Sequence, residues 1–300
     1  MAQRLDPRSL EAAPPTLNGA APLSTIFARL QAHFGPLTGP EAARPWWPIF
    51  GNDAPFEMLV GAVLVQQTRW ETVEGAILRL LASGLLSPRA IAEATTATLA
   101  GLIRPAAFYG QKAAGLVTIA RHIVAGYGGD TTRMLARPTP QVRAELLHLP
   151  RIGPETCDVI LLYGGGHPVF VIDAYTRRLF ERVAPALSPG TADGSAPAPH
   201  PWRRPYETLR RIIETDLHQS LLHAGPPGAD RAAAMYAEYH AQINEVCVRY
   251  CLTRPRCDGP PARRVYSRQE GRESYLGRTD GCPLRPVCGW YRQRRHAPAG

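Results

Sequence analysis

Three hundred residues with 45% hydrophobic and 20% charged content can bury a sizeable core, which excludes a disordered or fibrous chain. No apolar run is long enough to span a bilayer, and the first residues lack the order of a secretory signal, so the sequence reads as cytoplasmic with no membrane partner. A formal net charge of +9 fits a polyanionic partner, and equally a merely basic surface.

Residues 1–21, rich in Pro and Ala, read as a loose tail. Residues 23–34 place Ile26, Leu30 and Phe34 at helical spacing, and 36–54 carry Pro and Gly punctuation around Trp46-Trp47-Pro48. One or two helices are predicted over 55–83, with Leu59, Ala62 and Val63 on the apolar face, and further helices over about 88–103, 110–126 and 140–148. The only strand signal is the short run 168–172, so the fold class is all-α. Two segments, 184–205 and 258–281, lack hydrophobic periodicity and read as loop insertions.

The segment from Leu146 to Val183 is the most informative. A helix begins at Thr139-Pro140, a good cap followed by a good first helical residue. A tight turn, Pro150-Arg151-Ile152-Gly153-Pro154, leads into a second helix that ends in Gly164-Gly165-Gly166. Two helices joined this way form a helix-hairpin-helix, whose turn amides and helix N-terminus suit a phosphate oxygen; by shape alone it is equally an ordinary helical hairpin. Asp173 follows, directly before the helical run 174–182. A carboxylate there can cap the helix or stabilise positive charge on a sugar and activate water.

Five of the six cysteines lie in the last fifth of the chain, a clustering that suggests a metal site before disulfides. Cys251 and Cys257, then Cys282 and Cys288, form two pairs of equal spacing. Zinc ligands usually sit two to four residues apart, which makes zinc the poorer fit. Cys157 and Cys247 fall outside the pairs. Among 34 Lys and Arg residues the only lysine is Lys112, so side-chain amine chemistry has one candidate.

Leu149, Pro150, Ile152, Gly153, Thr156 and Ile172-Asp173, together with Pro55–Trp70, Arg104–Lys112 and the cysteine-rich end, resemble the endonuclease III superfamily of DNA glycosylases. The likeness covers about 22–183 and 205–290. It implies two helical lobes: 55–165, a barrel-like bundle including the hairpin at 140–165, and 22–54 plus 166–300. It implies a [4Fe–4S] cluster on Cys251, Cys257, Cys282 and Cys288, with Arg254, Arg256 and Arg285 facing DNA from the cluster loop. The expected partner is double-stranded DNA bearing a damaged base, bound by a monomer associated with the nucleoid. Asp173 becomes the catalytic residue, and Arg151, Ile152 and Gly153 the DNA-binding hairpin.

Three departures carry information. Glu155 stands where strand-cutting members have lysine, which points to a monofunctional enzyme. Arg151 replaces a usual glycine, and either crowds the hairpin or reaches a phosphate itself. The gap between Cys257 and Cys282 is far longer than the usual two residues. Within the family the chain is similar to the 3-methyladenine glycosylase-like branch, which also has an acidic residue at the hairpin position and aromatics at Trp47 and Trp70. That resemblance implies a base pocket with Trp47 and Trp70, lined by Tyr163 and His240 or with those two in packing roles. Gln66 would fill the gap left by the flipped base. An alkylated, cationic purine would stack well between such faces. The alternatives are a lyase acting on oxidised pyrimidines through Lys112 or another amine, and a lesion-binding protein without catalysis.

Overall fold

The computed structural model describes residues 23–42, 45–183, 203–222, 228–262, 265–267, 272–273 and 281–295. The expected tail at 1–21, most of the first insertion and much of the second lie outside the described residues. What is described is helical, with one short ribbon.

The predicted helix 23–34 is α1 (Leu23–Phe34), and Leu23, Ile26, Leu30 and Phe34 form its buried stripe. The stretch 55–83 divides into α2 (Ala54–Leu64) and α3 (Trp70–Ala82). Asp53 caps α2 by accepting a hydrogen bond from the Phe56 amide at 3.1 Å, and nine consecutive residues from Phe56 to Leu64 are buried. The predicted helix 88–103 is also two, α4 (Pro88–Glu93) and α5 (Thr96–Leu102). Ala94 turns extended, and Thr95 then starts a new helix by accepting from the Thr98 amide at 3.1 Å. The chain continues through α6 (Tyr109–Tyr127), α7 (Thr131–Leu135), α8 (Thr139–His148), α9 (Pro154–Val159) and a single wide turn of π-helix at Ile160–Gly164. Last come α10 (Ala174–Val183), α11 (Tyr206–Leu222), α12 (Ala229–Arg249) and α13 (Gly289–Arg295).

The packing falls into two sets of contacts sharing one continuous apolar core. In one, α6 packs on α2, α4 and α5, and α2 lies along the π-helical turn. In the other, α12 is the centre, touching α1 and α10, while α10 also meets α13. α12 reaches the π-helical turn, so the two sets meet there.

Two expectations fail locally. Residues 168–172 form no strand. The run is extended, but its amides are taken by side chains of α11: Phe170 N donates to Glu214 Oε1 at 2.9 Å and Ile172 N to the Tyr206 hydroxyl at 3.3 Å. Apolar alternation marked it as buried and extended; a ladder also requires a neighbouring strand, and among the described residues none lies beside it. Conversely, the second insertion is not wholly a loop, since β1 (Val265–Ser267) and β2 (Arg272–Glu273) pair antiparallel within it.

Candidate active site

The hairpin is built as its residues dictate. α8 ends at His148, Leu149 turns extended, and Arg151 adopts a left-handed conformation with φ of 67°. Gly153 precedes Pro154, which opens α9 at the position where a missing amide costs nothing. Ile152 is buried under the turn and Gly153 is exposed. The Arg151 side chain folds inward: Nη1 donates to Gln111 Oε1 at 3.0 Å and Nη2 to Gln66 Oε1 at 3.4 Å. Its stem lies in a notch that only glycine leaves open, because a Cβ on Gly115 would sit 2.6 Å from Arg151 Cγ. The guanidinium is thus engaged with two glutamines of neighbouring elements.

Gln66 joins the same knot. Its Nε2 donates to the Arg151 carbonyl and to Thr156 Oγ1, both at 2.8 Å. The adjoining Gln67 is exposed and left-handed, with φ of 54°. Phe108, before α6, is left-handed as well, with φ of 56°, and 53% of its surface is open. Gln67, Phe108 and Arg151 are the positive-φ non-glycine residues among those described. All three belong to loops tied together at the first turns of α6, and strained backbone of this kind concentrates at functional sites.

Beside this knot lies an aromatic cluster. Trp47 meets Trp70 edge-to-face at 5.0 Å between ring centres, Trp46 lies 5.5 Å from Tyr163, and Trp47 lies 6.3 Å from Tyr163. Trp47 fits because residue 61 is glycine; a Cβ there would come within 2.8 Å of its ring. The buried indole N–H groups of Trp46, Trp47 and Trp70 have no acceptor, three orphaned donors in one cluster. The π-helical turn presents Tyr163, whose hydroxyl donates to the Ala237 carbonyl at 2.9 Å and lies 2.8 Å from His240 Nδ1.

His240 leads to Asp173. Its Nε2 is 3.3 Å from Asp173 Oδ2, the same oxygen that accepts from Asn244 Nδ2 at 2.9 Å. The other oxygen, Oδ1, accepts from the Thr176 amide at 2.6 Å, so Asp173 does cap α10. Burial works against its ionisation, but the hydrogen bond and charge of His240 and the Thr176 amide hold the carboxyl down at about 2. Glu155, in the first turn of α9, moves the other way. Glu155 is an exposed residue, yet protein packed around its carboxyl and the negative charge of Asp173 raise it to about 7. Two carboxylates with separated pKa values thus share one neighbourhood. Lys112, the sole lysine, is buried and turned away from both, its ammonium bonded to the α2–α3 loop.

Asn244, Trp46, Gln67 and Phe108 were not among the candidates drawn from the sequence. A signal for Asn244 exists: α12 buries Glu238, His240, Gln242, Asn244 and Glu245 in one stretch, more polar groups than packing alone calls for. Glu238 belongs to the same scaffold, accepting from Leu37 N, Thr38 N and Thr38 Oγ1, and Leu37 O in turn accepts from Trp46 N at 2.8 Å.

At the C-terminal end, Cys251, Cys257, Cys282 and Cys288 line one cavity with Leu179, Arg182, Tyr250 and Trp290. Arg182 Nη1 donates to Cys251 Sγ at 3.3 Å and to the Leu252 carbonyl at 2.6 Å. Cys282 N donates to the Cys257 carbonyl at 2.8 Å, and a side chain on Gly281 would run into that carbonyl, so the second insertion leaves and rejoins the chain at one point. No three His, Cys, Asp or Glu side chains among the described residues are arranged to hold one metal ion in common. Four thiols on the wall of one cavity are a donor set that would suit a cubane iron–sulfur cluster. Arg254 and Arg256 are exposed, whereas Arg285 pairs with Asp258 at 3.1 Å. Cys157 and Cys247 are buried and do not line the cavity, though the Cys247 thiol is a hydrogen-bond partner of Cys251.

Comparison with known proteins places this geometry. Residues 60–191 match the family model described as HhH-GPD superfamily base excision DNA repair protein. A Methanocaldococcus jannaschii protein provisionally designated a DNA repair glycosylase is 36% identical over 220 residues, covering 73% of this chain and 86% of that protein. Among solved structures, the 3-methyladenine DNA glycosylase of H. pylori, bound to 1,N6-ethenoadenine, superposes with a TM-score of 0.57 at 24% identity, covering 75% of this chain and 96% of that one. An endonuclease III in a non-covalent DNA complex gives a TM-score of 0.61 at 17% identity, over 91% and 96% of the two chains. With its all-α fold, hairpin and long archaeal relative, the chain belongs to the HhH-GPD superfamily of base excision DNA repair proteins.

Proposed function

We propose that this glycosylase is monofunctional: it flips a damaged base, an alkylated purine first among candidates, out of duplex DNA and hydrolyses its N-glycosidic bond to leave an abasic site. The observation that carries the reading is the pairing of an ionised, buried Asp173 with a Glu155 that titrates near neutrality, where an amine would otherwise stand. As the bond between sugar and base breaks, its electron pair leaves with the base and positive charge grows on the sugar. The Asp173 carboxylate, oriented by Asn244, His240 and Thr176, stabilises that charge. Water forms the new bond to the sugar carbon, and its proton passes to Glu155, whose pKa suits the task.

Trp47, Trp70, Trp46 and Tyr163 supply the faces that hold the base, and the three unpartnered indole N–H groups supply donors toward its acceptor atoms. Gln66 is engaged with the hairpin, so its role becomes that of a strut; the exposed Gln67 and Phe108 are the side chains presented toward the base stack. The hairpin of Arg151, Ile152 and Gly153 holds backbone phosphate. The four cysteines would hold a [4Fe–4S] cluster, which when bound fixes the loop carrying the exposed Arg254 and Arg256. We assign the 22–54 plus 166–300 and 55–165 segments to two lobes, with DNA across the groove between them.

The test is a panel of duplexes, each bearing one lesion, scored for base release with and without alkali. Release of an alkylated purine, with strand cleavage only after alkali, supports the reading. Cleavage without alkali, or release confined to oxidised pyrimidines, overturns it.

A further inference from the structure

α2 ends at Leu64, and the chain crosses to α3 through Val65–Arg69 with a left-handed residue, Gln67, in the middle. Such a break strips the carbonyls of the last helical turn of their usual donors. Here one side chain replaces them. Lys112 Nζ donates to the Leu64 carbonyl at 2.8 Å, the Gln66 carbonyl at 2.7 Å and Thr68 Oγ1 at 3.2 Å. All three protons of the ammonium are thereby directed at one short loop, and the cation sits where a helix C-terminus attracts positive charge. Thr68 Oγ1 also accepts from Ala107 N at 3.1 Å, beside Phe108, and Gln111, one residue before Lys112, binds Arg151 of the hairpin.

A completely buried ammonium is costly to keep, and a methionine or leucine would fill the same space more cheaply. The cost is explicable if the conformation it enforces is needed. Resting on the proposed reading of the exposed loop residues, we propose that Lys112 is a positioning residue for lesion recognition: it holds the loop in the strained form that presents Gln67 and Phe108 to the opened base stack. Burial and the nearby charge of Arg151 pull its pKa down to about 8, which leaves the ammonium mostly protonated at neutral pH, and Arg151 is the charged group that acts on it. The role differs from that of a nucleophile, because every proton on the nitrogen is already committed.

The experiment uses a probe independent of the identity of the damaged base: a duplex with one tetrahydrofuran abasic analogue and a neighbouring 2-aminopurine, whose fluorescence rises as the stack opens. In Lys112→Met, affinity for this duplex is expected to fall about tenfold, a loss of about 1.4 kcal/mol, and the fluorescence rise to disappear. Affinity for the undamaged duplex should stay within about twofold, because phosphate contacts remain. Thr68→Val, which removes one acceptor and keeps the ammonium, should show the same signs at smaller size and decides the matter if Lys112→Met does not fold. Unchanged affinity and fluorescence in a folded variant, or an equal loss on damaged and undamaged duplexes, would overturn the proposal. Failure of the wild-type protein to release any base would count against the enzymatic reading and leave this binding comparison intact.

Discussion

Asn244 Nδ2 stands 2.9 Å from Asp173 Oδ2, so a side chain in the middle of α12 fixes the carboxylate that begins α10. Asp173→Asn preserves the cap on Thr176 but removes the charge, and base release should fall by about 10³-fold with lesion affinity retained. Stability gives a second readout. The folded carboxyl is depressed from 3.8 to about 2, so its contribution, on the order of 2 kcal/mol, is present above pH 4 and lost as pH falls toward 2. Thermal melts of wild type and variant should therefore differ at pH 6 and converge near pH 2. Curves that stay equally separated across that range would show that the charge contributes nothing to the fold.

Glu155 titrates near neutrality, and the rate of base release should rise with pH through about 7 as its carboxylate form appears. Glu155→Gln should flatten that rise and slow release by about 10²-fold. Borohydride should trap no covalent adduct with lesion DNA, since the one lysine is buried and committed to the α2–α3 loop. Efficient trapping by the unmodified protein would sink the assignment of water as nucleophile.

Gly61 tests the aromatic cluster without touching an aromatic. In Gly61→Ala the new methyl meets the Trp47 ring at 2.8 Å and must displace it. Affinity for a lesion duplex should drop about tenfold, a loss of about 1.4 kcal/mol, while tryptophan fluorescence shifts. A shifted spectrum with unchanged affinity would remove Trp47 from the base pocket.

Protein purified without oxygen should be yellow-brown and carry about four irons per chain. Cys257→Ser should lose the colour and weaken DNA binding together. Stoichiometric zinc in place of iron would reject the cluster.

Much of the fold was legible in periodicity and punctuation. The stripe Ile26, Leu30, Phe34 and the Thr139-Pro140 start gave α1 and α8 nearly to the residue. The boundary between α4 and α5 was missed because Thr95 caps in the middle of an otherwise helical pattern. The strand expectation at 168–172 failed because single-sequence alternation cannot show that Glu214 and Tyr206, more than 30 residues away, supply its hydrogen bonds. For the site, Asp173 and Glu155 were visible as residues in a motif, but their opposed pKa shifts were not, since these depend on burial and on His240 from another helix. Gln66 and Gln67 illustrate the same limit. Adjacent identical side chains differ only in backbone conformation, and that conformation turns one inward and leaves the other exposed.

The closure of Gly281 and Cys282 onto the Cys257 carbonyl makes the second insertion a graft on a fixed stem. Lengthening a loop whose ends are already fastened costs little, because closure entropy grows only with the logarithm of length. The cysteine-lined cavity is thus insulated from whatever sequence the stem carries. Related chains are free to trade this excursion for a short turn or a larger appendage, and evolution can alter the arginine content of the segment without renegotiating the four thiols beneath it.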